Sequence, residues 1–152
     1  KLFNNNNEFV FLLAGKWNLS SDINKYISEN NLCNIKVLWP RTDTNVLYYI
    51  SDVFCALSPY ENMWSTTIQE AFCIWLPCII SDVWYTSLIL RHKKDCLIIP
   101  AKNPKKLANQ IIELHNHVDI NNEIILNLKE WREKFNSKTL SVENINKLYI
   151  NI

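Results

Sequence analysis

The sequence predicts an α/β fold: a mainly parallel sheet with flanking helices and a helical tail at the C-terminal end. Three observations carry this. Short apolar runs alternate with amphipathic segments of helical spacing, the pattern of βαβ units. The runs are continuous rather than alternating, as expected of parallel strands covered on both faces. The chain has 152 residues, 48% hydrophobic and 20% charged, which is enough apolar content for a packed core. One domain over residues 1–152 is expected, with the asparagine-rich residues 1–8 as a loop.

The elements follow in order. Phe9, Val10, Phe11, Leu12, Leu13 and Ala14 form the first run, closed by Gly15, and read as a buried strand. Ser20, Ser21 and Asp22 offer N-cap chemistry to a helix in which Ile23, Tyr26 and Ile27 recur at helical spacing. Residues 35–39 read as a second strand stopped by Pro40, residues 45–50 as a short helix, and residues 53–57 as a third strand stopped by Ser58 and Pro59. A polar loop leads to a helix over residues 66–74. Residues 77–81 and 96–99 read as the fourth and fifth strands, with a short helix over 86–92 between them. Pro104 suits a first helical turn. Leu107, Ala108, Ile111, Ile112, Leu114 and His115 then form an apolar stripe. Ile124, Ile125, Leu128, Trp131 and Phe135 continue the helical period, as do Val142, Ile145, Leu148 and Tyr149.

Composition narrows the function. A formal net charge of +1 does not fit a nucleic-acid-coating protein, so no nucleic acid partner is expected. No apolar stretch approaches the roughly 18 residues of a membrane helix. No secretory signal is visible at the start, where Asn4, Asn5, Asn6 and Asn7 are polar. Cys33, Cys55, Cys73, Cys78 and Cys96 lack CxxC spacing, so buried free thiols in a reducing, cytoplasmic setting are expected. Asn18, Leu19 and Ser20 match a glycosylation sequon, a pattern short enough to arise by chance. His92, His115 and His117 have no matching ligand set, so no metal is expected. Gly15 is the one glycine, where average usage of about 7% would give roughly ten. One glycine excludes P-loop and GxGxxG motifs.

Parallel sheets bind ligands outside the carboxyl ends of their strands. That directs attention to Gly15 and Lys16, to residues 39–41, to residues 58–66 and to residues 81–84. The stretch from Ser58 to Phe72 is the most informative. Glu61 opens a strand-to-helix loop and Glu70 lies one or two turns into the helix. The amides of residues 62–65 sit near a helix N-terminus, which attracts phosphate. A carboxylate at Glu70 can accept from two vicinal hydroxyls of a ribose, and one at Glu61 from a sugar ring. On spacing alone, two surface glutamates without a ligand are the better reading. Trp64 and Trp84 fall at strand ends, as pocket walls or as packing.

Five stretches in order shift that weighting. The run Phe11 to Gly15, the stretch Leu47, Tyr48, Tyr49, Ile50, Ser51, Asp52, Val53, and the pair Ser58-Pro59-Tyr60-Glu61 with Glu70-Ala71-Phe72 are three. Leu76-Pro77-Cys78-Ile79-Ile80-Ser81-Asp82, and Cys96 to Pro100 followed by Asn103 to Ala108, complete them. Over residues 9–149 the chain resembles the C-terminal, nucleotide-sugar-binding half of the GT-B-fold glycosyltransferases of the group 1 (family 4) type, whose donor domain is Rossmann-like. The resemblance implies transfer of a sugar from a UDP- or GDP-sugar, with retention, to a glycan, lipid or protein acceptor. It implies no metal and no other cofactor. By it, Glu70 holds the donor ribose and Glu61 contacts the transferred sugar as the catalytic residue. The loop Asn62, Met63, Trp64, Ser65 and Thr66 meets the sugar or its phosphate, Gly15 lets the diphosphate approach, Lys16 offsets its charge, and Arg41 lies toward the base.

The chain departs from the family pattern at several positions. Eight residues separate Glu61 from Glu70 where the family usually has seven. Trp75 stands where the family has glycine before Leu-Pro, Asp95 or Cys96 where it has another, and Trp39-Pro40 replaces a glycine turn. Nothing before Phe9 matches the family's opening strand and its basic diphosphate-gripping segment. The chain is therefore expected to be a piece of a larger enzyme, truncated at its N-terminal edge and inactive alone. An N-terminal acceptor domain or partner chain would complete it, and peripheral membrane association through that part is left open. The alternative is a non-catalytic binding or assembly module with a degenerate donor site.

Overall fold

The computed structural model describes residues 3, 8–15, 20–38, 40–60, 65–84 and 86–138, with backbone alone for Ser20 and residues 131–138. Two compact units divide it, Lys1–Val46 and Leu47–Ile152. The expected helical stretch from Val142 to Tyr149 and the strand end at Trp39 lie outside the described residues, as do the side chains of Trp131 and Phe135.

The first unit holds β1 (Phe11–Ala14), α1 (Ser20–Glu29) and β2 (Ile35–Leu38). β1 and β2 pair in parallel, from Phe11 opposite Ile35 to Ala14 opposite Leu38. Asn34 precedes β2 and its amide Nδ2 donates to the carbonyls of Phe3 and Phe9, at 3.0 and 3.1 Å. The Phe3 ring meets Phe9 and Phe11 edge-on at centroid distances of 4.8 and 5.4 Å, the arrangement ring quadrupoles favour. The expected full burial of the first strand is not observed. Phe11, Leu12 and Leu13 are half-buried, Ala14 is exposed, and Val10 is 59% exposed. Among the described residues β1 has one partner strand, β2, and this two-stranded ribbon leaves apolar surface in water.

The second unit is better packed. α2 (Thr44–Tyr49) runs across the boundary between the units, and β3 (Phe54–Ala56), α3 (Thr66–Cys73), β4 (Cys78–Asp82), α4 (Thr86–Ile89), β5 (Leu97–Pro100), α5 (Pro104–Asn116) and α6 (Val118–Lys138) follow. The strands form a parallel sheet in the order β3-β4-β5. β4 is central, and Cys78, Ile79, Ile80 and Ser81 are all buried. Here the continuous apolar run does mark a strand covered on both faces. α3 sends Ile68, Ala71 and Phe72 inward, an i, i+3, i+4 stripe. Ile124 and Leu128 of α6 join the same core. Burying each large apolar side chain contributes about 1.5–3 kcal/mol.

Local chemistry sets the boundaries. Ile74 ends α3, and Trp75 follows in a left-handed conformation with φ 63°. The N–H of Trp75 donates to the Phe72 carbonyl and that of Leu76 to the Ala71 carbonyl, the two bonds of a Schellman cap. α4 is one turn, shorter than the expected 86–92. The Asp95 carboxylate takes the backbone N–H of Arg91 at 2.8 Å and forks its guanidinium at 3.0 and 2.7 Å, which folds residues 90–95 into a turn. Asn103 caps α5 by accepting from the Lys106 N–H at 2.9 Å, with Pro104 in the first turn. The apolar period read through residues 107–135 is broken at His117, the C-cap of α5, whose φ and ψ are −121° and 84°.

Candidate functional site

The expected site residues fall in both units. In the first, Gly15 directly follows the carboxyl end of β1 with φ 143°, and its N–H donates to the Leu38 carbonyl at 3.3 Å. A Cβ is poorly tolerated at that angle, so the one glycine stands where the backbone requires it. Lys16 lies outside the described residues. Arg41 is exposed and forks Asp43, with Nε to Oδ1 at 2.7 Å and the terminal nitrogen to Oδ2 at 2.6 Å. This bond, with the opposing charge, raises the arginine pKa, and the bond to Arg41 lowers that of Asp43. The sequence reading did not anticipate this pairing, although Arg and Asp two apart in a short loop are its signal.

In the second unit, β3 gives way to Ser58, whose Oγ accepts from the Tyr60 N–H at 3.2 Å. Glu61, Asn62, Met63 and Trp64 lie outside the described residues. Ser65 is the N-cap of α3, but its side chain makes no capping bond; its hydroxyl pairs with that of Thr67 at 2.7 Å. Thr66 holds the first position of this helix end, and the N–H groups of Ile68 and Gln69 both donate to the Ser65 carbonyl, at 3.1 and 3.2 Å. Glu70 is exposed on α3, in the second turn. Its Oε2 accepts from the Tyr48 hydroxyl at 3.0 Å. Tyr48 lies on α2, 22 residues earlier, and its phenol pKa is raised by burial and by the Glu70 charge. No local spacing in the sequence could have paired these two.

Two shallow clefts flank the sheet of this unit. One, of about 350 Å³, is lined by Asp82 at the carboxyl end of β4 and by Ser87, Leu88, His92 and Ile98. The other, of about 280 Å³, includes Asp52, Pro77 and Asn121; its Asp52 and Pro77 precede β3 and β4. Trp84 is 72% exposed. Among the described residues no three His, Cys, Asp or Glu side chains gather as a metal site. Cys78 and Cys96 are buried and Cys55 half-buried, and burial pushes all three thiols up, Cys55 to about 11. Such thiols are poor nucleophiles. Cys33 and Cys73 are exposed, against the expectation of buried thiols; they lie beyond α1 and on the outer face of α3.

Comparison with known proteins shows what this architecture is similar to. The structure superimposes on Anabaena Alr3699/HepE in complex with UDP with a TM-score of 0.78 and 17% identity, covering 95% of this chain and 40% of that one. It matches a mutant of S. aureus TarM, in complex with Fondaparinux, alpha-GlcNAc-glycerol and UDP, with a TM-score of 0.80 and 22% identity over 99% of this chain and 30% of that one. It matches the sucrose-phosphate synthase of Thermosynechococcus elongatus with a TM-score of 0.73 and 21% identity, over 92% of this chain and 37% of that one. The chain thus spans at most two fifths of these relatives. At such identities the likeness shows the fold, an α/β architecture of parallel strands with flanking helices. No curated protein matches by sequence. The family model for glycosyl transferases group 1 matches residues 1–131. With most of its length covered by that match, the chain belongs to the glycosyl transferases group 1 family.

Proposed function

We propose that the chain is the donor-binding, C-terminal half of a GT-B glycosyltransferase of the family 4 type, and that it binds a UDP- or GDP-sugar for transfer with retention to a glycan, lipid or protein acceptor. The observation that carries this reading is Glu70. It is an exposed carboxylate in the second turn of α3, held at one oxygen by Tyr48, on the helix that follows the carboxyl end of β3. That is where open α/β sheets bind ligands. Alr3699/HepE, which shares the fold, binds UDP and UDP-glucose, and this supports a nucleotide-sugar donor.

In this reading Glu70 accepts hydrogen bonds from the vicinal ribose hydroxyls. The N-terminus of α3 and residues 62–65 are assigned to the diphosphate and the sugar, Gly15 to the close approach of the diphosphate, and Lys16 to offsetting its charge. Glu61 contacts the transferred sugar. The bond between the sugar's anomeric carbon and the phosphate oxygen breaks, the electron pair leaves with the diphosphate, and an acceptor hydroxyl oxygen bonds the anomeric carbon on the same face while its proton passes to the departing phosphate oxygen. Stabilising that developing charge is the protein's main contribution. The acceptor domain comes from a further part of the protein or from a partner chain, and the enzyme works in the cytoplasm or at a membrane face. The left-handed backbone at Trp75 favours this over a degenerate module, because the conformation that glycine serves in the family is kept.

Calorimetric titration with UDP, GDP and their sugars tests the proposal. Binding by wild type and its loss in Glu70→Ala is the expected result. No binding of any of them to a chain shown to be folded would sink it.

A further inference from the structure

The geometry points to Tyr48 as the residue that positions Glu70 for the two vicinal hydroxyls of a donor ribose, an inference that rests on the donor-site reading above. Glu70 is exposed, and an exposed glutamate samples many rotamers, so ordering it on ligand binding carries an entropic cost. The Tyr48 hydroxyl removes part of that cost beforehand by donating to Oε2 at 3.0 Å. The phenol is itself held. Its ring packs edge-on against Phe54 of β3 at 5.5 Å and 74°, and the helix carrying it is closed by the Ser51 hydroxyl bonding the Leu47 carbonyl at 2.6 Å. A chain of contacts therefore runs from the sheet through Phe54 and Tyr48 to the carboxylate.

The acceptor arithmetic suits a diol. A carboxylate offers about four lone-pair sites. One is taken by Tyr48, which leaves enough for two hydroxyl donors. A phenol also fixes the polarity of the arrangement. Burial and the Glu70 charge raise its pKa, so the phenol keeps its proton and stays the donor of this bond.

The test separates positioning from stapling. The full chain is titrated with UDP and GDP and with their 2′,3′-dideoxy analogues, as wild type, Tyr48→Phe, Glu70→Gln and the double variant. Phenylalanine keeps the ring contact with Phe54, and thermal melts confirm that each variant is folded. Tyr48→Phe is expected to weaken the ribonucleotide roughly three- to tenfold, the worth of one hydrogen bond. It is expected to leave the dideoxy analogue unchanged and to add nothing once Glu70 is Gln. Equal weakening of both nucleotides, or none of the ribonucleotide, overturns the positioning role, while a loss in Glu70→Gln keeps the ribose reading. Unchanged ribonucleotide binding in Glu70→Gln overturns the ribose reading and this inference together.

Discussion

Trp75 carries a backbone angle that glycine ordinarily supplies. Its φ of 63° closes α3, and a residue with a Cβ there is strained by roughly 1–2 kcal/mol. The indole offsets part of this by lying under the Lys129 ammonium, 5.0 Å from the ring centroid, a contact worth about 0.5–1 kcal/mol at an exposed site. Trp75→Gly should therefore change stability by less than about 1 kcal/mol, strain relief cancelling the lost contact and the added chain entropy. Trp75→Val loses the same contact and puts a β-branched side chain at positive φ, so it should cost more than the glycine variant. Urea unfolding of the three proteins checks the order; a valine variant as stable as the glycine one refutes it. His92 gives a pH counterpart. Its Nδ1 accepts from the Ile98 N–H on β5 at 2.9 Å, which only an imidazole unprotonated at that nitrogen can do. Burial, then the charges of Lys93 and Lys106, lower its pKa. A folded-state value below the unfolded one, near 6.5, means that the unfolded chain binds more protons between them. The His92 contribution is thus full above about pH 6.5 and is lost as pH falls through the folded value. The gap in urea midpoint between wild type and His92→Ala should narrow from pH 7.5 to pH 5, and a constant gap would contradict the assignment.

At the scale of elements, what was legible in the sequence is what neighbours in the chain decide. The strand of residues 78–82 could be read because four successive apolar or small residues between Pro77 and Asp82 fit only a strand buried on both faces. α5 could be read because Asn103 and Pro104 are start signals that act within one turn. The same rule misjudged β1, an equally apolar run that is half-buried. Its composition records what it can bury, while the number of strands beside it is a property of the assembled sheet. α4 was read too long because the bond that ends it is made by Asp95, beyond the apolar pattern. The candidate site divides the same way. The positions of Gly15, directly after β1, and of Glu70, on the helix after β3, were legible from the strand and helix patterns. The Arg41–Asp43 fork and the Tyr48–Glu70 bond were not, since the first is a choice among surface partners and the second joins residues of two helices.

Across the whole molecule, apolar burial is uneven, and so should be its stability. Among the described residues every buried apolar side chain lies in Leu47–Ile152, and the one buried residue of Lys1–Val46 is Asn34, at 7% exposure. Local opening is easiest where few apolar contacts are lost. β4 cannot open without exposing Ile79, Ile80 and Cys78, each at 0–1% exposure, and separating from both β3 and β5. β1 can open by leaving β2 alone, with Leu12 and Leu13 already half in water. Amides of β4 should therefore exchange with solvent only by global unfolding, and those of β1 and β2 should exchange faster by local opening. Hydrogen–deuterium exchange followed by peptide mass spectrometry reads this directly. Moderate denaturant should accelerate exchange in residues 78–82 steeply and in residues 11–14 weakly, because the slope follows the surface exposed on opening. Equal protection and equal slopes in the two strands would mean that the molecule unfolds as one cooperative unit, against the distribution of its core.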